Sequence, residues 1–117
     1  MQGFEYELKE KDGFPVIILK GYLEITAANQ LNQVGDSLLK SGKNLILIDF
    51  SQCPNINSPG VVGVVDLTYK VVDDYAGVLV ITGLTPFQAK VFGLANVFPK
   101  ALAAPTIDEG ITLLKEK

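Results

Sequence analysis

Asp49-Phe50-Ser51-Gln52-Cys53-Pro54-Asn55-Ile56-Asn57-Ser58-Pro59-Gly60 follows the strand-like run Leu45-Ile46-Leu47-Ile48 and precedes the apolar-periodic segment Val61 to Val72. The composition predicts a strand ending at Asp49, a polar loop from Phe50 to Ser58, and a helix starting behind it. Ser58 is a favoured N-cap, and Pro59 suits the first helical position, where its missing N–H costs nothing. The run Val61 to Val65 has poor helix propensity and would suit a strand. The Ser-Pro start and the spacing of Val61, Val64, Val65, Thr68, Val71 and Val72 favour a helix over Pro59 to Val72. A hydroxyl at a helix N-terminus can also carry a phosphate, since free N–H groups and the helix dipole favour negative charge there.

Working outward, Phe4 to Leu8 alternates with period two, as a half-solvated edge strand does. Lys11-Asp12-Gly13 carries the Asp-Gly hairpin signal, and Pro15 to Lys20 is a more continuously apolar partner lying further inside the sheet. Gly21 to Glu24 leads to a helix capped by Thr26, with Ala27, Leu31, Val34 and Leu38 as its stripe and Ser41-Gly42 as its stop. Asn44 to Asp49 reads as a strand buried on both faces, and Gly77 to Thr82 as another strand. Thr85-Pro86 opens a helix with Phe87, Val91 and Leu94 facing inward. A short strand lies near Ala101 to Ala104. Thr106-Ile107-Asp108-Glu109 forms a capping box for a last helix, with Ile107, Ile111 and Leu114 behind it. The expected class is α/β: a mixed, mostly parallel sheet of four to five strands, an N-terminal antiparallel edge strand and about four helices. The binding surface is expected at the strand carboxyl ends, in Gly21 to Thr26, Phe50 to Ser58 and Gly83 to Pro86.

The 117 residues are enough for one domain, 1–117, of about 13 Å radius of gyration. A hydrophobic fraction of 48% excludes disorder. No apolar run approaches a membrane span, Met1 to Glu5 opens nothing like a signal peptide, and one cysteine permits no intrachain disulfide; a cytoplasmic location is expected. The chain contains no His, which removes imidazole metal sites and histidine-based nucleophile activation. All 10 basic residues are lysine, so guanidinium clamps on phosphate are missing. A net charge of −3 disfavours nucleic acid. No cofactor is implied. Asp49 lacks the neighbouring acidic pair of a phospho-receiver and reads as organising the loop towards Ser58. Cys53 reads as a small buried filler, and Pro59 to Gly63 lacks the ending of a phosphate-binding loop. Glu24 and Asn57 make no convincing acid–base pair, because nothing there activates a nucleophile. No enzymatic site emerges, and a protein partner is the expectation.

With these elements placed, the whole chain resembles the STAS domains typified by bacterial anti-sigma factor antagonists. The resemblance rests on Gly21-Tyr22-Leu23-Glu24, Thr26-Ala27-Ala28, Asp49-Phe50-Ser51, an apolar strand ending near Gly83, the element Leu94 to Phe98, and above all Asn57-Ser58-Pro59-Gly60. It implies a non-catalytic module that binds an anti-sigma factor kinase, frees a sigma factor in transcription regulation, and is switched by phosphorylation at Ser58. Glu24, Thr26, Asn55, Asn57, Pro59 and Gly60 would form the partner-binding loops. The chain departs from the signature in four places: Asn57 replaces Asp, Pro59 replaces Ser or Ala, Glu24 stands where Asp is usual, and Gly63 falls one place late. Asn57 loses the charge of Asp, and Pro59 removes an N–H and stiffens the segment. Two alternatives stay open: a constitutive STAS scaffold in a sensory or transporter-associated assembly, and a small-ligand-binding α/β domain. A homodimer is compatible with either.

Overall fold

The structure, a computed structural model, describes residues 3–117; Met1 and Gln2, part of the opening read as no leader, lie outside the described residues. Phe4–Lys11 (β1) and Phe14–Leu23 (β2) form the hairpin, with Asp12 and Gly13 at φ of 52° and 88° in the turn. Positive φ at both central residues is what a type I′ hairpin turn requires, and Asp-Gly supplies it cheaply. Ile25–Lys40 (α1), Leu45–Ile56 (β3), Ser58–Tyr69 (α2), Val78–Thr82 (β4), Pro86–Leu94 (α3), Leu102–Ala104 (β5) and Ile107–Lys115 (α4) complete the fold. The five strands lie in chain order, β1 antiparallel to β2 and the rest parallel. The expected class is therefore the one observed, and the radius of gyration is 12.6 Å.

Sequential strand order has a consequence for the layers. Right-handed crossovers that never reverse direction all fall on one face of the sheet. Accordingly α1, α2 and α3 cover one face, where Leu19, Leu31, Ile48, Phe50, Leu67 and Phe92 are buried together. The opposite face carries α4 alone, with Ile111 and Leu114 on Val16, Ile18, Leu47 and Val80. Gly110 lets α4 lie flat there: a Cβ would come within 2.6 Å of Leu47 Cδ1.

The largest departure from expectation is in β3. Phe50 to Ile56 is not a loop but a continuation of the strand, pairing Gln52 with Lys20, Asn55 with Tyr22 and Ile56 with Leu23. Each two-residue step along β2 from Ile18 to Tyr22 matches three along β3, so the pairing is bulged twice. The bulges place Phe50, Cys53 and Ile56 inward at a spacing of three, which defeats a period-two reading. Pro54 fits because β4 ends at Thr82, opposite Asp49, leaving this part of β3 an edge. Gly21 to Leu23, also read as a loop, is the end of β2.

The second helix covers Pro59 to Val72 as expected, but only its part up to Tyr69 is α-helical. After Tyr69 it widens into a π turn over Lys70–Asp74, in which Tyr75 N donates to Lys70 O (3.2 Å). Its buried stripe is Gly60, Gly63, Val64, Leu67, Thr68 and Val71, rotated slightly from the valine stripe expected; Val61, Val65 and Val72 are half-buried. In α3 the correction is larger. Phe87 and Leu94 are 71% and 77% exposed, and Gln88 and Phe92 face inward instead. Gln88 is satisfied there, donating to Cys53 O (2.9 Å) and accepting from Thr85 N (3.0 Å). The Thr106 cap of α4 forms, with Glu109 N donating to Thr106 Oγ1 at 3.2 Å.

Asp49 is buried where β3 meets β4. It accepts from Thr82 Oγ1 (2.8 Å), Ser51 Oγ (2.5 Å) and Ser51 N (3.3 Å). It therefore ties two strands together rather than shaping a loop. Replacing Asp49 by Ala strands the buried Thr82 hydroxyl, so urea unfolding of Asp49→Ala should show a loss of about 1–3 kcal/mol. Ser51→Ala, at an exposed position with the carboxylate still held by Thr82, should lose visibly less.

Candidate functional site

β2 and β3 end side by side, Leu23 paired with Ile56, and each hands the chain directly to a helix. The junction is tight. Asn57 N donates to Leu23 O (3.2 Å), and a Cβ on Gly60 would fall 2.2 Å from that same carbonyl oxygen. Only glycine lets the first turn of α2 approach so closely. Asn32 then fastens the two helices, its Nδ2 donating to Ala28 O and Gly63 O at 3.0 Å each.

Both caps fall one or two residues earlier than the sequence reading placed them. Asn57, not Ser58, caps α2: its Oδ1 accepts from Gly60 N at 3.0 Å, and Pro59 is the second helical residue. Glu24, not Thr26, caps α1, accepting from Thr26 N (3.1 Å) and Ala27 N (2.9 Å). In each case the residue held in extended backbone as the strand ends is the one whose side chain can turn back onto the helix. The hydrogen bonds from Ala27 N and Thr26 N hold the Glu24 carboxyl below its ordinary value of 4.5.

Ser58 is thereby released. It is the first residue of α2, exposed, and among the described residues its hydroxyl has no hydrogen-bonding partner. Pro59 beside it is exposed, as are Thr26 and Ile25 at the start of α1. One turn on, Val62 is 56% exposed on the face that Ser58 shares. The N–H groups of this helix start are largely spent. Pro59 has none, Gly60 N is taken by the Asn57 side chain, and Val61 N donates to Asn57 O at 3.0 Å. An anion here would meet the helix dipole but few free donors.

Next to this crescent, Tyr22, Pro54, Asn55, Ile56, Phe87 and Gln88 line an open groove of about 370 Å³. Of the residues singled out in the sequence, the structure brings Glu24, Thr26, Asn57, Ser58, Pro59 and Gly60 together at the two helix starts, with Asn55 in the adjoining groove. Sequence reasoning missed Phe87, assigned to the interior, and Ile25 and Val62, whose exposure had no sequence signal. Cys53 is buried beneath, its thiol pushed up to about 11 by burial, as its reading as an inert filler expects. No helix among the described residues is long and apolar enough to cross a membrane.

No family model matches the sequence, and no curated protein matches it significantly. Solved structures do match the fold. An anti-sigma factor antagonist from Mycobacterium paratuberculosis aligns with a TM-score of 0.81 at 18% identity, over 97% of this chain and 95% of the other. A serine-to-glutamate variant of RsbS from Moorella thermoacetica aligns at 0.79 and 14% identity, over 95% of each chain. The Bacillus cell-fate determinant SpoIIAA in its phosphorylated form aligns at 0.73 and 22% identity, over 94% of this chain and 99% of the other. The chain thus has the STAS fold of the anti-sigma factor antagonists.

Two measurements test the caps. Asn57→Ala should cost about 1 kcal/mol of unfolding free energy, whereas Ser58→Ala should stay within about 0.5 kcal/mol of wild type; the reverse order would restore Ser58 as the cap. Glu24 sets a pH dependence. A folded-state value depressed below 4.5 stabilises the protein above that pH, and the contribution is lost as pH falls through the folded value. Thermal melts from pH 6 to pH 3 should therefore show Glu24→Gln losing less stability than wild type on acidification.

Proposed function

We propose that this chain is a non-catalytic regulatory module of the anti-sigma factor antagonist type, acting in the cytoplasm. It binds an anti-sigma factor kinase through the crescent of Glu24, Thr26, Asn55, Asn57, Pro59 and Gly60, and phosphorylation of Ser58 switches that binding off. The observation that carries this reading is the state of Ser58: an exposed hydroxyl, without a partner among the described residues, at a helix start whose cap is supplied by its neighbour. A serine engaged as the cap would have to give up that bond to react. The surroundings add to the case. Ile25 and Val62 offer apolar contact area, and Phe87 extends it beside the groove.

Charge supplies the switch. No lysine lies in the chain between Lys43 and Lys70, and Glu24 sits within the crescent, so it favours a partner with basic groups. A phosphate would add about −1.5 to −2 charges. With most first-turn N–H groups already used, it gains little from the helix beyond the dipole. Its main effect falls on the interface, where a docked partner would have to desolvate it or pair it.

Pro59 and the occupied Gly60 N–H favour a second reading, a constitutive scaffold with the same partner face and no phosphate. One experiment separates them. Wild type, Ser58→Ala and Ser58→Asp are used to capture partners from the source cells, and the wild type is then incubated with the captured kinase and Mg-ATP. The switch predicts that wild type and Ser58→Ala retain an ATP-binding anti-sigma kinase and Ser58→Asp loses it, with one phosphate added to wild type alone by intact mass. Equal capture of the same assembly by all three, with no phosphate, establishes the scaffold.

A further inference from the structure

The sheet has two edges of very different character. At one end β5 is only Leu102–Ala104, followed by Pro105, too short to template another strand. At the other, β1 runs eight residues, Phe4–Lys11, and among the described residues its strand pairing is with β2 alone. Lys11 and Phe14 close a two-residue turn, so they exchange hydrogen bonds with each other, and the alternation of the antiparallel ladder extends this to Lys9, Glu7 and Glu5. Phe4, Tyr6, Leu8 and Glu10 then direct their N–H and C=O groups outward. Tyr6 and Leu8 are also 42% and 49% exposed on the face towards α1.

Long edge strands are commonly protected by charge, and β1 carries plenty. Its charges, however, are ordered. On the α4 face the sequence is Glu5, Glu7, Lys9, Lys11: two acids followed by two bases. We propose that β1 is a self-association edge that pairs antiparallel with β1 of a second copy of this chain, in the register centred on Leu8. In that register Glu7 stands opposite the second copy's Lys9, and Glu5 opposite its Lys11, so four opposite-charge pairs form about the two-fold axis. Leu8 meets Leu8, and Tyr6 faces Glu10, on the other side. Tyr6, Leu8 and Glu10 of each copy complete a hydrogen-bonded ladder, giving one continuous sheet.

The neighbouring register, centred on Glu7, also engages Phe4 and satisfies one more backbone pair, but it sets Glu7 against Glu7 and leaves only two opposite-charge pairs in place of four. Cross-strand like charges destabilise, so charge selects the Leu8 register. The intrachain pairs already on this face, Glu7 with Lys9 (3.6 Å) and Lys20 (3.4 Å), and Lys11 with Asp108, are exposed and become members of a longer network. The partner crescent stays open: Leu8 pairs with Ile17, six residues and so about 20 Å along β2 from Leu23. The inference therefore stands whether or not Ser58 is a switch.

Sedimentation velocity over a concentration series reaching about 1 mM tests it, because an interface this small belongs to the weak class. Wild type should shift from monomer towards dimer with rising concentration, and Leu8→Lys should abolish the shift. Two charge variants then examine the register. E5K/E7K makes the face wholly basic and K9E/K11E makes it wholly acidic; each should be monomeric alone, and an equimolar mixture should associate. Far-ultraviolet circular dichroism confirms that each variant is folded. A wild type that stays monomeric throughout overturns the proposal. So does a dimer that persists undiminished in both charge variants, or folded variants that fail to associate when mixed.

Discussion

The carbonyl oxygen of Leu23 is the point on which this architecture turns. It closes β2, accepts a hydrogen bond from Asn57 at the end of β3, and leaves room for nothing larger than a hydrogen atom on Gly60. Because it binds the two strand ends together, the two helices must begin side by side and pack along their length, with Asn32 bridging them. The position of Asn57 follows from the same contact. Held extended by Leu23, it turns its side chain onto Gly60 N and becomes the cap, and Ser58 is carried past the cap position into solvent. One backbone contact thus decides whether the serine is structural or available.

The chemistry of the surface follows from what surrounds that serine. Glu24 occupies the start of α1 as a carboxylate already bonded to two backbone N–H groups. Below the surface, Cys53 is fully buried and Gln88 is buried with its amide donating to Cys53 O. The adjoining groove is open rather than a closed pocket.

Local signals were legible wherever one residue type suffices. Asp12-Gly13 marks the hairpin, Thr85-Pro86 and Thr106 mark helix starts, and Ser41-Gly42 marks a stop, all as the structure has them. The continuation of β3 was hidden because two bulges turn its inward spacing from two to three, so Phe50, Cys53 and Ile56 resemble a polar loop with scattered apolar residues. In α3 the nine residues carry apolar groups all round. Nothing local says that the sheet lies towards Gln88 and Phe92 rather than Phe87 and Leu94, since the partner that satisfies Gln88 is Cys53, 35 residues away.

By itself the sequence determined the order of strands and helices, the antiparallel hairpin, the mostly parallel sheet, and the absence of histidine and arginine chemistry. Periodicity, turn residues and composition are local properties and survive without knowledge of contacts. The tertiary structure alone decided which of two neighbouring polar residues, one or two positions apart, caps each helix, which face of α3 meets water, and where β3 ends. Those outcomes depend on where one strand end lies against another. At the helix starts that is fixed by the Leu23 carbonyl meeting Asn57 and Gly60, and in α3 by Gln88 meeting Cys53, residues more than thirty positions away in the chain.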